Sequence, residues 1–320
     1  MDILQRIEDF RPPPQGVALT IGTFDGVHRG HVAVVAKARD LAQTFGGVSV
    51  AITFEPHPLA ILAPERNPER LTTAAERAAL LRRQVDVVIT LPTTRELLSN
   101  SAETFLRDFL LPCRPRVIVE GPDFHFGKDR QGSARTLRAG GHAHGFAVHE
   151  VSEQFADELP DRPPIRSSLV RDFLKSGDIG RAAGMLLGRA YRIVGRVGNG
   201  QGRGAKLRFP TANLDAIPHL IPRHGVYAAY AQTQQQGSFL AAVNIGPQPT
   251  FAQMEARVEA HLLDFDGDLR GQLLGLHLLD LLRDQTRFEG VDALAAQLQR
   301  DCDATRLRRD LIGQADLISL

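Results

Sequence analysis

Short apolar runs alternate with stretches of helical period through the first half of the chain. Residues 17–21, 48–54, 85–91, 117–119 and 146–151 read as strands, and residues 31–45, 74–83 and 102–111 as amphipathic helices. Strands alternating with helices predict an α/β, doubly wound parallel sheet with helices on both faces. Such sheets bind ligands beyond the carboxyl ends of their strands. The pattern then changes twice. Residues 167–187 keep a helical period, after a polar loop that carries Pro163 and Pro164. From Ala190 onward, glycines and prolines punctuate short strands at 191–197, 225–231, 240–245, 257–265 and 273–279. That spacing predicts a small antiparallel β-barrel, closed by a helix over 291–311. The change of character sets a domain boundary near 186–189, giving domains 1–186 and 187–320.

Length agrees with two cores, since 320 residues exceed what one core usually serves. Hydrophobic residues make up 43% and charged residues 23%, ordinary values for a soluble globular chain. A formal net charge of +1 supplies no bulk field for nucleic acid or a membrane surface, so neither is an expected partner. Cys113 and Cys302 stand far apart, too few for a zinc site and in keeping with a reducing compartment. No run approaches the roughly 18 apolar residues of a membrane span, and the acids of the first 14 residues do not suit a signal peptide. The expected location is cytoplasmic.

Chemistry concentrates first in Gly22-Thr23-Phe24-Asp25-Gly26-Val27-His28-Arg29-Gly30-His31, between a predicted strand and a predicted helix. A helix start offers unpaired N–H groups and a positive dipole end, a natural seat for an anion. Glycines allow the backbone to approach it closely, and the imidazoles of His28 and His31 can donate to phosphate oxygens. This run resembles the HxGH signature of the nucleotidyltransferases, and specifically the bacterial bifunctional riboflavin kinase/FAD synthetase family. Thr53-Phe54-Glu55-Pro56-His57-Pro58, Gly121-Pro122-Asp123-Phe124-His125-Phe126-Gly127-Lys128 and Ser167-Ser168-Leu169-Val170-Arg171 resemble further segments of that family in order. The resemblance implies a Rossmann-like nucleotidyltransferase domain in which Gly22, Phe24, Asp25, Gly26, Gly30, Pro56, His57 and Phe124 bind ATP or flavin. It implies His28 and His31 on the ATP phosphates, Ser168 and Arg171 on the leaving pyrophosphate, and Asp123 in the ligand or metal shell. Arg166 departs from the family, which has serine there, and adds a cation to that side.

The second concentration is Leu207-Arg208-Phe209-Pro210-Thr211-Ala212-Asn213-Leu214. Leu187-Gly188-Arg189-Ala190-Tyr191, His224-Gly225-Val226-Tyr227, Asn244-Ile245-Gly246 with Pro249-Thr250-Phe251, and the strand from Val258 to Phe265 also resemble the riboflavin kinase domain of that family. The resemblance implies Mg2+ held by Thr211 and Asn213, Glu259 as the catalytic base, and ATP or flavin contacts at Gly204, Lys206 and Pro210. Oxygen donors of this kind suit Mg2+ completed by phosphate and water. Arg208 and Arg270 depart from the family, which has glycine and tyrosine at those places. The implied function is bifunctional: riboflavin and ATP give FMN, then FMN and ATP give FAD and pyrophosphate. Alternatives are an adenylyltransferase whose kinase half is lost or altered, an adenylyltransferase for another small phosphate, and a flavin-binding regulator without turnover. Oligomeric state stays open.

Overall fold

All five residues of the run 17–21 are buried, as a strand covered on both faces requires. A computed structural model describes residues 3–198, 209–249 and 254–311. Within the first of two compact units, Met1–Arg166, the chain forms β1 (Ile3–Leu4), β2 (Val17–Ile21), α1 (Arg29–Thr44), β3 (Val48–Glu55) and α2 (Pro58–Leu62). Then come α3 (Ala74–Arg82), β4 (Val87–Pro92), α4 (Arg95–Ser99), α5 (Ala102–Phe105) and β5 (Pro115–Glu120). The short pair β6 (His125–Phe126) and β7 (Gly132–Ser133) precedes α6 (Ala134–His144) and β8 (Ala147–Glu150).

Six of these strands make one sheet in the order β1-β4-β3-β2-β5-β8, and every pair in it is parallel. The chain leaves β2 for β3 and β4, then returns past β2 to β5, so the order reverses between β2 and β5. That reversal opens the crevice where open α/β sheets hold ligands. Alternate residues of the strands feed two cores. Ala18, Val117 and Val119 pack with Ala38 and Ala42 of α1. Val17, Leu19, Ile21, Ile52 and Ile118 pack with Phe105, Leu110 and Leu137 on the other face. Each fully buried Leu or Ile contributes about 1.5–3 kcal/mol, so the sheet is a rigid platform for its loops.

The expected strands are all present, within a few residues at their ends. The helix expected over 102–111 is instead α5 followed by a wider turn at Leu106–Leu110 and a tight one at Leu111–Cys113. The proline at 112 has no N–H to continue a helix. Helix α6 was hidden by its own glycines: a Cβ at Gly141 would lie 2.4 Å from the Phe146 carbonyl oxygen.

In the second unit, Ser167–Leu320, the helical stretch breaks at Gly177, whose φ is +86°. It forms α7 (Ser167–Ser176) and α8 (Ile179–Met185). Six strands follow: β9 (Tyr191–Gly198), β10 (Ala212–Asp215), β11 (Gly225–Thr233), β12 (Ser238–Pro249), β13 (Met254–Leu262) and β14 (Leu273–Arg283). They close into a barrel in the order β10-β13-β12-β11-β14-β9, all antiparallel, which leaves no unpaired edge. Helix α9 (Val291–Arg306) packs against β11, β12 and β14. Strand β10 is an addition to the expected set, because its four residues follow Pro-Thr and imitate a turn.

Candidate active sites

The turn from β2 to α1 is held from several sides. Gly22 N–H donates to the Ile52 carbonyl at 3.0 Å, and Gly26 N–H to Thr72 Oγ1 at 3.1 Å. Asp25 is buried and accepts from the backbone N–H groups of Leu71 and Thr72 at 3.0–3.1 Å. Phe24, Gly26 and Val27 all have positive φ, at 49°, 83° and 45°. Two non-glycine residues in that region persist only where the surroundings dictate it.

This clamp fixes the two histidines. His28 is the N-cap of α1, its Nδ1 accepting the His31 N–H at 3.4 Å. In the neutral ring, an accepting Nδ1 leaves the proton on Nε2. The two rings stack with centroids 3.6 Å apart, and Phe24 meets His31 edge-on at 5.3 Å. Gly30 is dictated by the same packing, since a Cβ there would sit 3.0 Å from the Ile165 carbonyl oxygen and 3.2 Å from the His28 ring. Among the described residues, His31 Nδ1 is buried without a hydrogen-bond partner, and so is Nε of Arg77 on α3. Burial first, then the charges of His28 and Arg77, hold the His31 imidazole well below its ordinary pKa. Two buried nitrogens lacking acceptors, beside a helix N-terminus, suit an anion.

Other expected residues gather at the same carboxyl edge. Pro56 and His57 follow β3, the neighbour of β2, with His57 Nδ1 capping α2 through the Leu59 N–H at 3.1 Å. Phe124 follows β5 and stacks on Phe126 with centroids 5.5 Å apart. Asp123 is ion-paired with Arg166 at 2.7 Å, and Arg166 also meets Glu153 at 2.7 Å. The extra cation at position 166 therefore meets two carboxylates of its own unit. Ser168 and Arg171 lie at the start of α7 in the second unit.

Two residues at the first site escaped the sequence reading. Arg77 is buried, its Nη2 bound to the Phe54 carbonyl at 2.8 Å and to Glu55 Oε2 at 2.9 Å. Glu120, at the end of β5, accepts the Ile21 N–H at 2.8 Å and is pushed well above the usual carboxylate range by burial. Neither belongs to a recognisable motif, and a helix arginine or a strand-end glutamate carries no signal by itself.

In the barrel, strand register does the assembling. Asn213 of β10 stands directly opposite Glu259 of β13, which stands opposite Asn244 of β12. Residues opposite one another share a face, so the three line up across adjacent strands. Thr211, Arg257, Glu259, His261 and Asn244 line one cavity of about 620 Å3, together with Arg283 and the segment 285–288. Arg283 forms a two-pronged ion pair with buried Asp301 of α9, at 2.9 and 2.7 Å. Pro210 offers its carbonyl to His261 Nδ1 at 2.8 Å. Gly204, Lys206 and Arg208 lie outside the described residues, as do Thr250 and Phe251. Arg270 is exposed and paired with Asp268, and it is not among the residues that line the cavity.

Two separately cored units, each with a polar site built on rigid strands, define the class: an enzyme with two centres for phosphate chemistry. Comparison with known proteins narrows it. The FAD synthetase family model matches residues 11–160 and the riboflavin kinase model residues 187–308. A bifunctional riboflavin kinase/FMN adenylyltransferase from Pseudomonas fluorescens is 37% identical, covering 96% of this chain and 97% of its own. One from Escherichia coli K12 is 34% identical, over 94% and 96%. A crystal structure from Streptococcus pneumoniae, described as a macrolide-efflux protein, superposes with a TM-score of 0.82 at 28% identity, over 95% and 98%. Among the described residues no helix is long and apolar enough to cross a membrane. The chain belongs to the bifunctional riboflavin kinase/FMN adenylyltransferase family.

Proposed function

We propose that the barrel phosphorylates riboflavin with ATP to give FMN, and that the parallel-sheet domain adenylylates FMN with a second ATP to give FAD. The observation that carries this reading is that each matched half holds its own polar site: His31 Nδ1, without a partner among the described residues, in one, and Asn213 in register beside Glu259, which lines a cavity, in the other.

In the first reaction Glu259 takes the proton of the ribityl 5′-hydroxyl as its oxygen attacks the γ-phosphorus, and ADP leaves. Among the described residues no group of three or more His, Cys, Asp or Glu side chains could hold a metal. The donors at hand are the Thr211 hydroxyl and the Asn213 amide oxygen, a sparse hard-oxygen set that suits Mg2+ completed by nucleotide and water. Bound there with ATP, Mg2+ would neutralise charge on the transferring phosphates. Gly204, Lys206 and Pro210 are assigned to the same nucleotide or flavin.

In the second reaction a phosphate oxygen of FMN attacks the α-phosphorus of ATP in line, and the bond to the β-phosphate oxygen breaks as pyrophosphate leaves. The protein needs only to position the reactants and neutralise charge. His28 and His31 serve the ATP phosphates, with Arg77 behind them, while Ser168 and Arg171 serve the leaving pyrophosphate. Gly22, Phe24, Asp25, Gly26 and Gly30 shape the turn, and Pro56, His57, Asp123 and Phe124 border the ligand. We keep the functional boundary at 186/187; the stretch 161–186 lies between the two matched segments and α8 packs on β9 and β14. A cytoplasmic location is part of this proposal.

Single-site variants separate the two activities. With riboflavin, ATP and Mg2+, His31→Ala should stop at FMN. Glu259→Gln should make no FMN from riboflavin, yet convert supplied FMN to FAD. Loss of both activities in either correctly folded variant refutes the assignment of one site to each half.

A further inference from the structure

Strand β13 alternates, so Arg257 and Glu259 share a face with Asn213 of the neighbouring strand. Arg257 Nε lies 2.8 Å from Asn213 Oδ1, and a second bond from Nη2 goes to the same oxygen. The same Nε lies 3.1 Å from Glu259 Oε1. One guanidinium thus ties together the amide oxygen assigned to Mg2+ and the carboxylate assigned as base. Asn213 is buried at 7% exposure, whereas Arg257 and Glu259 are both about a quarter exposed and face the cavity.

An amide oxygen has two lone pairs. With two N–H groups of Arg257 upon it, Asn213 Oδ1 has no acceptor capacity left for a cation. The guanidinium also sets a fixed positive charge beside the ion's place, which opposes its arrival. Arg257 and the ion therefore compete for one oxygen.

We propose that Arg257 is a positioning residue of the kinase half that occupies the place of the metal before nucleotide arrives. It holds Asn213 and Glu259 in register, and it sets the divalent-ion concentration at which the site loads. Loading requires the fork to release Asn213 Oδ1, and Glu259 then remains its partner. The inference rests on the assignment of Thr211 and Asn213 as metal donors.

Mn2+ titrated into the full-length chain with ADP, with bound Mn2+ followed by electron paramagnetic resonance, tests it directly. Asn213→Ala identifies the component of binding that belongs to the barrel. Arg257→Met should tighten that component roughly tenfold, the scale of one charge-assisted hydrogen bond, and should lower half-saturating Mg2+ for FMN formation in parallel. Its turnover number should nevertheless fall, because Glu259 loses its tether. Arg257→Lys, which keeps the charge but cannot fork, should fall between. The barrel's own transition in chemical denaturation reports that each variant is folded there, and adenylylation of supplied FMN reports that the first unit is intact. Unchanged barrel Mn2+ affinity in both Arg257 variants, with the Asn213→Ala loss intact, overturns the role of Arg257 alone. If Asn213→Ala leaves Mn2+ binding unaltered, the metal assignment itself fails and the inference with it.

Discussion

Burying an imidazole nitrogen without a partner costs free energy that a purely structural position would shed. His31 bears that cost at the start of α1, stacked on His28 and close enough to feel Arg77. An arriving phosphate removes it. On this account His31→Ala should lower FMN adenylylation by roughly 10²–10³-fold, the scale of losing one preorganised donor, while FMN formation from riboflavin continues. Glu120 makes a second prediction, in stability. Its carboxyl is raised far above the usual 4.5, by burial against a weaker opposing bond from the Ile21 N–H. The folded state therefore holds a proton that the unfolded chain releases above about pH 4.5, and stability falls as pH rises through that window. Glu120→Gln keeps an acceptor for Ile21 and has no charge to suppress. It should match the wild type in thermal unfolding near pH 4 and be the more stable of the two at pH 8. Equal stability at pH 8 would show that Glu120 carries no such penalty.

Elements explain why some of the sites could be read from the chain and some could not. The β2–α1 turn is local, so its glycines and histidines sit in one run and a strand-to-helix change frames them. The barrel site is not local: Asn213 and Glu259 are 46 positions apart and meet only through antiparallel register. Their identities were legible through resemblance, but their direct opposition was not. Arg257 was invisible for the same reason, since nothing in Glu-Ala-Arg-Val-Glu says that the arginine reaches across to β10. Helix α6 and strand β10 were missed where glycines or a proline erased the period. Helix α9 has a role that periodicity cannot show, because Asp301 anchors Arg283 at the cavity wall. Asp301→Ala strands that guanidinium, which keeps the Asp284 carbonyl and Thr286 Oγ1 as partners. The barrel should lose about 2–4 kcal/mol in chemical denaturation, with the transition of the first unit unmoved. A shift below about 0.5 kcal/mol would mean that the pair adds nothing to barrel stability.

At the scale of the molecule, two cores give two reactions that can be interrogated on one polypeptide. The product of the barrel is the substrate of the sheet domain, so the fate of each ATP phosphorus is distinct. Arg270, one of the three departures from the family pattern, pairs with Asp268 at the surface. The most direct test incubates the full chain with riboflavin, Mg2+ and ATP labelled at either the γ- or the α-phosphorus, then separates the flavins. The account predicts γ-label in FMN and retained in FAD, and α-label in FAD only, with pyrophosphate released. Riboflavin left unphosphorylated, with no γ-label in any flavin, while supplied FMN is still converted to FAD would contradict the claim that both halves are catalytic.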